Sequence, residues 1–243
     1  MTKIVAYIMG GEPAKDAGFA YADAILREAD ILEIGVPFSD PVADGPVIER
    51  AAVRALERGT TMADCLALAK RLRAQHAKPI YLMTYYNPVL RRGLARFAEE
   101  CASSGVTGVI IPDAPLEESG PARAALSARG IQLVQLASPA TPPERMARLA
   151  RETQGFLYLV SSFGVTGARK DLAPETLDVV ARAKAACGAI PFFVGFGVSD
   201  AAHVRALAAA GAPGVVVGSA IVGRVEKGES PEQVAAFVRS LRL

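Results

Sequence analysis

Glu33 stands inside an apolar run, Asp30-Ile31-Leu32-Glu33-Ile34-Gly35. A carboxylate in such a run is costly unless it is paired, protonated or opened onto a polar cavity. In a strand it faces away from Leu32 and Ile34. Two readings stand level here: a general acid or base of raised pKa, or a structural ion pair beneath the following loop. That loop carries two more acids, Asp40 and Asp44, among prolines and glycines. A fourth, Asp113, lies in Ile111-Pro112-Asp113-Ala114-Pro115. Aspartate often closes turns in such segments, so each of these three has a turn-forming alternative. Four acids at one mouth would make an active-site cluster.

Further along, Gly195-Phe196-Gly197 precedes Val198-Ser199, which reads as the opening of a helix, and Gly218-Ser219 opens another. Glycines let backbone N–H groups approach an anion, and helix N-termini carry partial positive charge. Two such loops on consecutive strands point to a phosphate; tight packing of small residues is the alternative. A dinucleotide fingerprint is excluded, because the third glycine is missing.

Absences narrow the chemistry. The two histidines, His76 and His203, fall in helical segments away from these loops and read as surface residues, which disfavours a histidine metal centre. The strands after the first hold no lysine for a Schiff base. The three cysteines, Cys65, Cys101 and Cys187, are widely spaced and form no CxxC. That speaks against a disulfide framework and for a reducing cytoplasm. Lys and Arg total 27 against 25 Asp and Glu, so no global field attracts nucleic acid or an anionic membrane. The N-terminal apolar run is too short for a signal peptide, and none is long enough to span a bilayer.

The elements that must position these residues alternate from end to end. Strand candidates are Ile4–Met9, Ile31–Ile34, Ile80–Thr84, Gly108–Ile111, Gln132–Leu136, Phe156–Leu159, Phe192–Val194 and Gly214–Val217. Most are continuously apolar, as parallel strands covered on both faces are. Helical spacing runs through Met62, Cys65, Leu66, Ala69 and Leu72, and again through Val234, Phe237, Val238 and Leu241. Ser230, Pro231 and Gln233 mark the start of the last helix. Gly130, Gly188 and Gly211 stand just past helical patterns, where a left-handed residue is needed. Eight strand–helix units predict a single (β/α)₈ barrel domain over residues 1–243, with a doubly wound open sheet as the competitor. Chemistry then belongs at the C-terminal ends of the strands.

Leu32 to Ile48, LEIGVPFSDPVADGPVI, resembles the most distinctive signature of the tryptophan synthase alpha subunit family. Further matches follow in order: Gly11-Glu12-Pro13, Tyr85-Tyr86-Asn87-Pro88, Pro112-Asp113-Ala114-Pro115, Tyr158 with Gly164-Val165-Thr166-Gly167, Gly195-Phe196-Gly197, and Gly218-Ser219-Ala220-Ile221-Val222. The resemblance implies a barrel that cleaves indole-3-glycerol phosphate to indole and glyceraldehyde 3-phosphate. It implies no cofactor in this chain and a beta-subunit partner carrying pyridoxal phosphate, in an α2β2 complex. Glu33 and Asp44 match the family's catalytic pair. Tyr158 matches an active-site tyrosine, and Phe196 an aromatic lining residue. Gly167, Gly197, Gly218 and Ser219 match phosphate-binding positions, and Asp40 a loop residue tied to communication with the beta subunit. Two departures stand out. Members usually carry a short helix before strand 1, whereas here strand 1 begins almost at once. Glu12 also takes a place where aspartate is usual.

The implied retro-aldol cleavage needs an electron sink. Protonated indole, an imine, supplies one. Glu33 is then expected to donate to indole C3 and take the glycerol hydroxyl proton, while Asp44 holds N1–H. The loops after strands 2 and 6 are expected to close as a coupled lid, with Gly164 and Gly167 as hinges and Thr166 reaching a strand 2 carboxylate. A stand-alone lyase that releases indole, and a non-catalytic activator of a beta subunit, are the alternatives; retention of Glu33 and Asp44 speaks against the latter.

Overall fold

The computed structural model describes residues 2–15, 17–160, 174–195 and 197–242. Eight strands form a closed parallel barrel in sequence order: β1 Lys3–Met9, β2 Ile31–Gly35, β3 Ile80–Met83, β4 Gly108–Ile110, β5 Gln132–Ala137, β6 Leu157–Val160, β7 Phe192–Gly195 and β8 Gly214–Val217. The ring shuts where β1 pairs with β8, Val5 opposite Val216. The expected strands all form, with ends displaced by one residue or none. The open-sheet alternative falls, because each strand has two neighbours and no edge remains.

The described helices are α1 Gly18–Glu28, α2 Pro46–Glu57, α3 Met62–Arg73, α4 Tyr86–Arg92, α5 Leu94–Ser103, α6 Gly120–Ser127, α7 Pro143–Glu152, α8 Pro174–Cys187, α9 Ala201–Ala209, α10 Ser219–Glu226 and α11 Pro231–Ser240. The start of α11 carries the predicted capping box between Ser230 and Gln233. Thr61 and Asp64 form a second at α3. Gly130, Gly188 and Gly211 take the left-handed backbone expected after helices, at φ 71°, 55° and 95°.

Strand alternation sorts the side chains into two cores. Leu32, Ile34, Ile4 and Ile8 face outward and pack under the helices. Val5, Ile31, Tyr81, Phe156, Phe193 and Val216 face inward and fill the barrel. Phe156 stacks on Phe193 at 4.4 Å, with Tyr81 edge-on to Phe156 at 5.3 Å. This aromatic layer is a dry floor beneath Glu33.

Two expectations need correction. His203 is 5% exposed, on the inner stripe of α9 beside Val204 and Leu207. His76 lies past the end of α3 and is partly buried, its Nε2 2.7 Å from Asp23 Oδ1 of α1. A polar partner lets an imidazole leave the surface, and the helical pattern alone does not show that partner. The second correction is at α9. It begins at Ala201, later than Val198-Ser199, because Asp200 accepts the N–H groups of Ala202 and His203 at 2.8 and 3.0 Å.

At the barrel's other end, Lys78 Nζ donates to the carbonyls of Leu26, Arg27 and Ala29, each at 2.8 Å. An ammonium there satisfies orphan carbonyls and the negative end of the α1 dipole. Lys78→Met is expected to lower folding stability by about 1–2 kcal/mol. A urea midpoint equal to the parent's would show that water satisfies those carbonyls equally well.

Candidate active site

Glu33 is the centre of β2 and its side chain points into the barrel, opposite Tyr7 on β1 and Tyr81 on β3. It is fully buried, and among the described residues neither carboxyl oxygen has a hydrogen-bond partner. Among the described residues the ion-pair alternative therefore has no partner to rest on. Burial, and then the charge of Asp44, push its pKa up to about 8. A protonated carboxyl is the form that such a dry position favours.

Asp44 sits at the end of the loop after β2, where Gly45 caps α2 and Pro46 opens it. Its Oδ2 accepts the Tyr85 hydroxyl at 3.0 Å, and that hydroxyl accepts the Ala43 N–H at 3.2 Å. The Tyr85 ring stacks on Phe38 of the same loop at 5.2 Å. Tyr85 therefore pins the loop at both ends. Burial raises Asp44 to about 6, with the Tyr85 bond pulling downward and Glu49 upward. The sequence motif contained Tyr85 but assigned it no task. Its place just past β3, at the mouth, was the available signal.

Both carboxylates open into a cavity of about 300 Å³ at the C-terminal ends of the strands. Tyr158, Gly197, Gly218 and Ser219 line it, as do Tyr7, Met83 and Leu136. Tyr158 lies over Gly195, where a Cβ would come within 2.6 Å of its ring. Burial raises the phenol's pKa, and the charges of Glu33 and Asp44 add to it. Arg145 reaches the wall from α7 and is held by both oxygens of Glu117 at 2.9 Å.

The four-acid cluster reduces to two. Asp113 accepts the N–H of Tyr86 at 2.8 Å and so caps α4. Asp40 is exposed and bonded by its neighbour Ser39. Neither lines the cavity. Thr166, Gly167 and Phe196, with the hinge residue Gly164, lie outside the described residues, as does the strand 6 half of the expected lid. Among the described residues no group of histidine, cysteine or acidic side chains is arranged to hold a metal ion.

The two glycine loops differ as anion sites. Asp200 already occupies the start of α9. No side chain caps α10, and its first bonded amides, Ile221 and Val222, both return to the Gly218 carbonyl. The amides of Ser219 and Ala220 at that helix start face the cavity end, which suits an anion.

The family model for the tryptophan synthase alpha chain matches residues 1–241. A tryptophan synthase alpha chain of Picosynechococcus is 43% identical over 245 residues, covering 98% of this chain and 92% of the relative. One from Methanoregula boonei is 45% identical over 224 residues, covering 92% and 84%. Among solved structures, a chain of the tryptophan synthase α2β2 complex of Pyrococcus furiosus superposes with a TM-score of 0.92 at 38% identity, covering 99% of each chain. A chain of Mycobacterium tuberculosis tryptophan synthase gives 0.91 at 35%, covering 99% and 91%.

A carboxyl with a raised folded pKa ties stability to pH in a definite direction. Between the unfolded value of about 4.3 and about 8, folded Glu33 holds a proton that the unfolded chain has released. Stability is therefore greatest below that window and falls as pH rises through it. Glu33→Gln removes the dependence, so the variant should gain on the parent between pH 5 and pH 8.5 in thermal unfolding. Parallel melting curves for the two proteins across that range would mean that Glu33 is ionised in the folded state.

Proposed function

The chain belongs to the tryptophan synthase alpha chain family, and on that premise we propose that its cavity cleaves indole-3-glycerol phosphate to indole and glyceraldehyde 3-phosphate. The observation that carries the reading is a pair of carboxyls in one cavity with opposite environments. Glu33 is buried and unpartnered among the described residues, and Asp44 is bonded by a phenol. Environments that push two acids apart assign them different tasks.

Glu33 enters the reaction protonated. It gives its proton to indole C3, and the ring becomes an iminium with its double bond between C2 and N1. Asp44, ionised, accepts the N1–H bond and stabilises the positive charge. Glu33, now a carboxylate, takes the proton of the glycerol hydroxyl next to the ring. That C–O becomes the aldehyde carbonyl as the bond to indole C3 breaks, and the bonding pair returns to the ring to restore indole. Protons and electrons balance, and Glu33 ends as it began. Tyr158 bounds the indole pocket, and the same reading gives Phe196 and Thr166 a place beside the substrate. The phosphate binds at the start of α10, on Gly218 and Ser219, with Gly197 opposite and Gly167 as the family's further position.

The chain works beside a beta subunit in an α2β2 assembly, and pyridoxal phosphate belongs to that subunit. The exposed Asp40 loop is the candidate for coupling the two. No described helix is long and apolar enough to cross a membrane. The three cysteines are free and buried, which fits a reducing cytoplasm.

Glyceraldehyde 3-phosphate release, followed by a coupled assay with and without a beta subunit, tests the reading. Glu33→Gln and Asp44→Asn should each lower the rate at least about 10²-fold. The pH profile should be a bell. Activity falls below about 6 as Asp44 takes a proton and above about 8 as Glu33 loses one, the two flanks belonging to the coupled pair. Near-normal turnover by Glu33→Gln removes that residue from the mechanism. Gly218→Val should raise KM far more than it lowers kcat, because the phosphate is bound equally before and during reaction. A change confined to kcat would place the phosphate elsewhere.

A further inference from the structure

Tyr7 is 5% exposed and lies inside the barrel on the cavity wall. Buried tyrosine hydroxyls almost always have a hydrogen-bond partner. Here the partner among the described residues is the Met9 thioether, with Sδ at 4.0 Å. Sulfur is a weak acceptor, so this phenol keeps a donor for something else.

Its position says what. A Cβ built on Gly35 would stand 2.0 Å from the Tyr7 hydroxyl oxygen and 2.5 Å from its Cζ. Gly35 is the next inward position after Glu33 along β2, one step nearer the mouth. The hydroxyl thus occupies the side-chain space directly above Glu33, and only glycine at 35 leaves it free. At the other end of the residue, Tyr7 Cβ lies 3.6 Å from where a Cβ on Gly218 would be. Tyr7 therefore spans the distance from the start of α10 to the layer above the Glu33 carboxyl. Burial and the charges of Asp44 and Glu33 hold the phenol protonated far above neutrality, so it acts as a donor.

On the reading given above, the substrate spans the same interval. Its phosphate lies at Gly218, its indole C3 lies against Glu33, and the glycerol chain runs between. The indole N–H is itself a donor and gives Tyr7 no acceptor; the glycerol hydroxyls do. We propose that Tyr7 is a substrate-binding residue whose phenolic O–H donates to a hydroxyl of the glycerol chain, so that the site selects a hydroxylated chain over a plain alkyl one.

The test pairs one side-chain deletion with one substrate deletion. Tyr7→Phe removes the oxygen and keeps the ring. Indole-3-propanol phosphate keeps the indole and phosphate and lacks both chain hydroxyls. With the alpha–beta complex, Tyr7→Phe should lower kcat/KM for indole-3-glycerol phosphate by about 10-fold to 100-fold. It should leave the inhibition constant of indole-3-propanol phosphate within about two-fold, because neither partner of the lost bond is present. An unchanged melting temperature shows that the barrel is intact. Equal losses for both ligands would put the O–H on the phosphate or make Tyr7 a packing residue, and unchanged kcat/KM would leave it no contact; either overturns the proposal while the lyase reading stands. Absence of turnover by the unaltered complex overturns the lyase reading, and this inference with it.

Discussion

A carboxyl group buried in the barrel, without a hydrogen-bond partner among the described residues, organises this molecule. Removing such a group from water costs several kcal/mol when it is charged and less when it is neutral. Glu33 therefore keeps its proton, and a closed barrel is what keeps water from it. Each strand backbone is satisfied on both sides by its neighbours, so no unpaired edge admits solvent. The aromatic floor below, Phe156 on Phe193, and the phenols of Tyr7 and Tyr158 around it complete the enclosure.

Asp44 is held by contrast. It arrives on a loop, at the mouth, and its position depends on Tyr85, which donates to the carboxylate and accepts from Ala43. That bond favours the ionised form and partly offsets burial. Two carboxyls that start with nearly the same chemistry thus separate by environment alone, one buried in a strand and one bonded on a loop.

The shell around the site is tied by charge. Glu12, in the loop after β1, is 2% exposed and accepts both Arg54 of α2 and Arg58 just past its end. Arg54 and Arg50 also reach Glu226, the last residue of α10. A buried carboxylate of this kind is tolerated only when its partners are in place. The longer side chain of Glu12 meets two guanidinium groups, which is what glutamate does at this position. The network joins α2, whose first turn follows Asp44, to α10, whose start is Gly218. Between them Ile48, Ala51 and Ala55 of α2 pack with Val222 of α10.

The local pattern of residues determined a good deal unaided. Side-chain alternation along the strand placed Glu33 on the face opposite Leu32 and Ile34. Apolar runs placed all eight strands to within a residue, and turn chemistry placed Ser230 and Gly211. These follow from dihedral preference and side-chain periodicity over a few residues, which any chain carries in its order. Pairings between distant segments were not legible there. Nothing around Asp113 announces that it caps α4 through Tyr86, or around Asp23 that it partners His76. Nor does the β1 sequence show that the Tyr7 hydroxyl fills the space over Gly35. Each of these depends on two segments brought together by closing the ring, so only the tertiary structure decided which acids stayed free for chemistry and which were already bound.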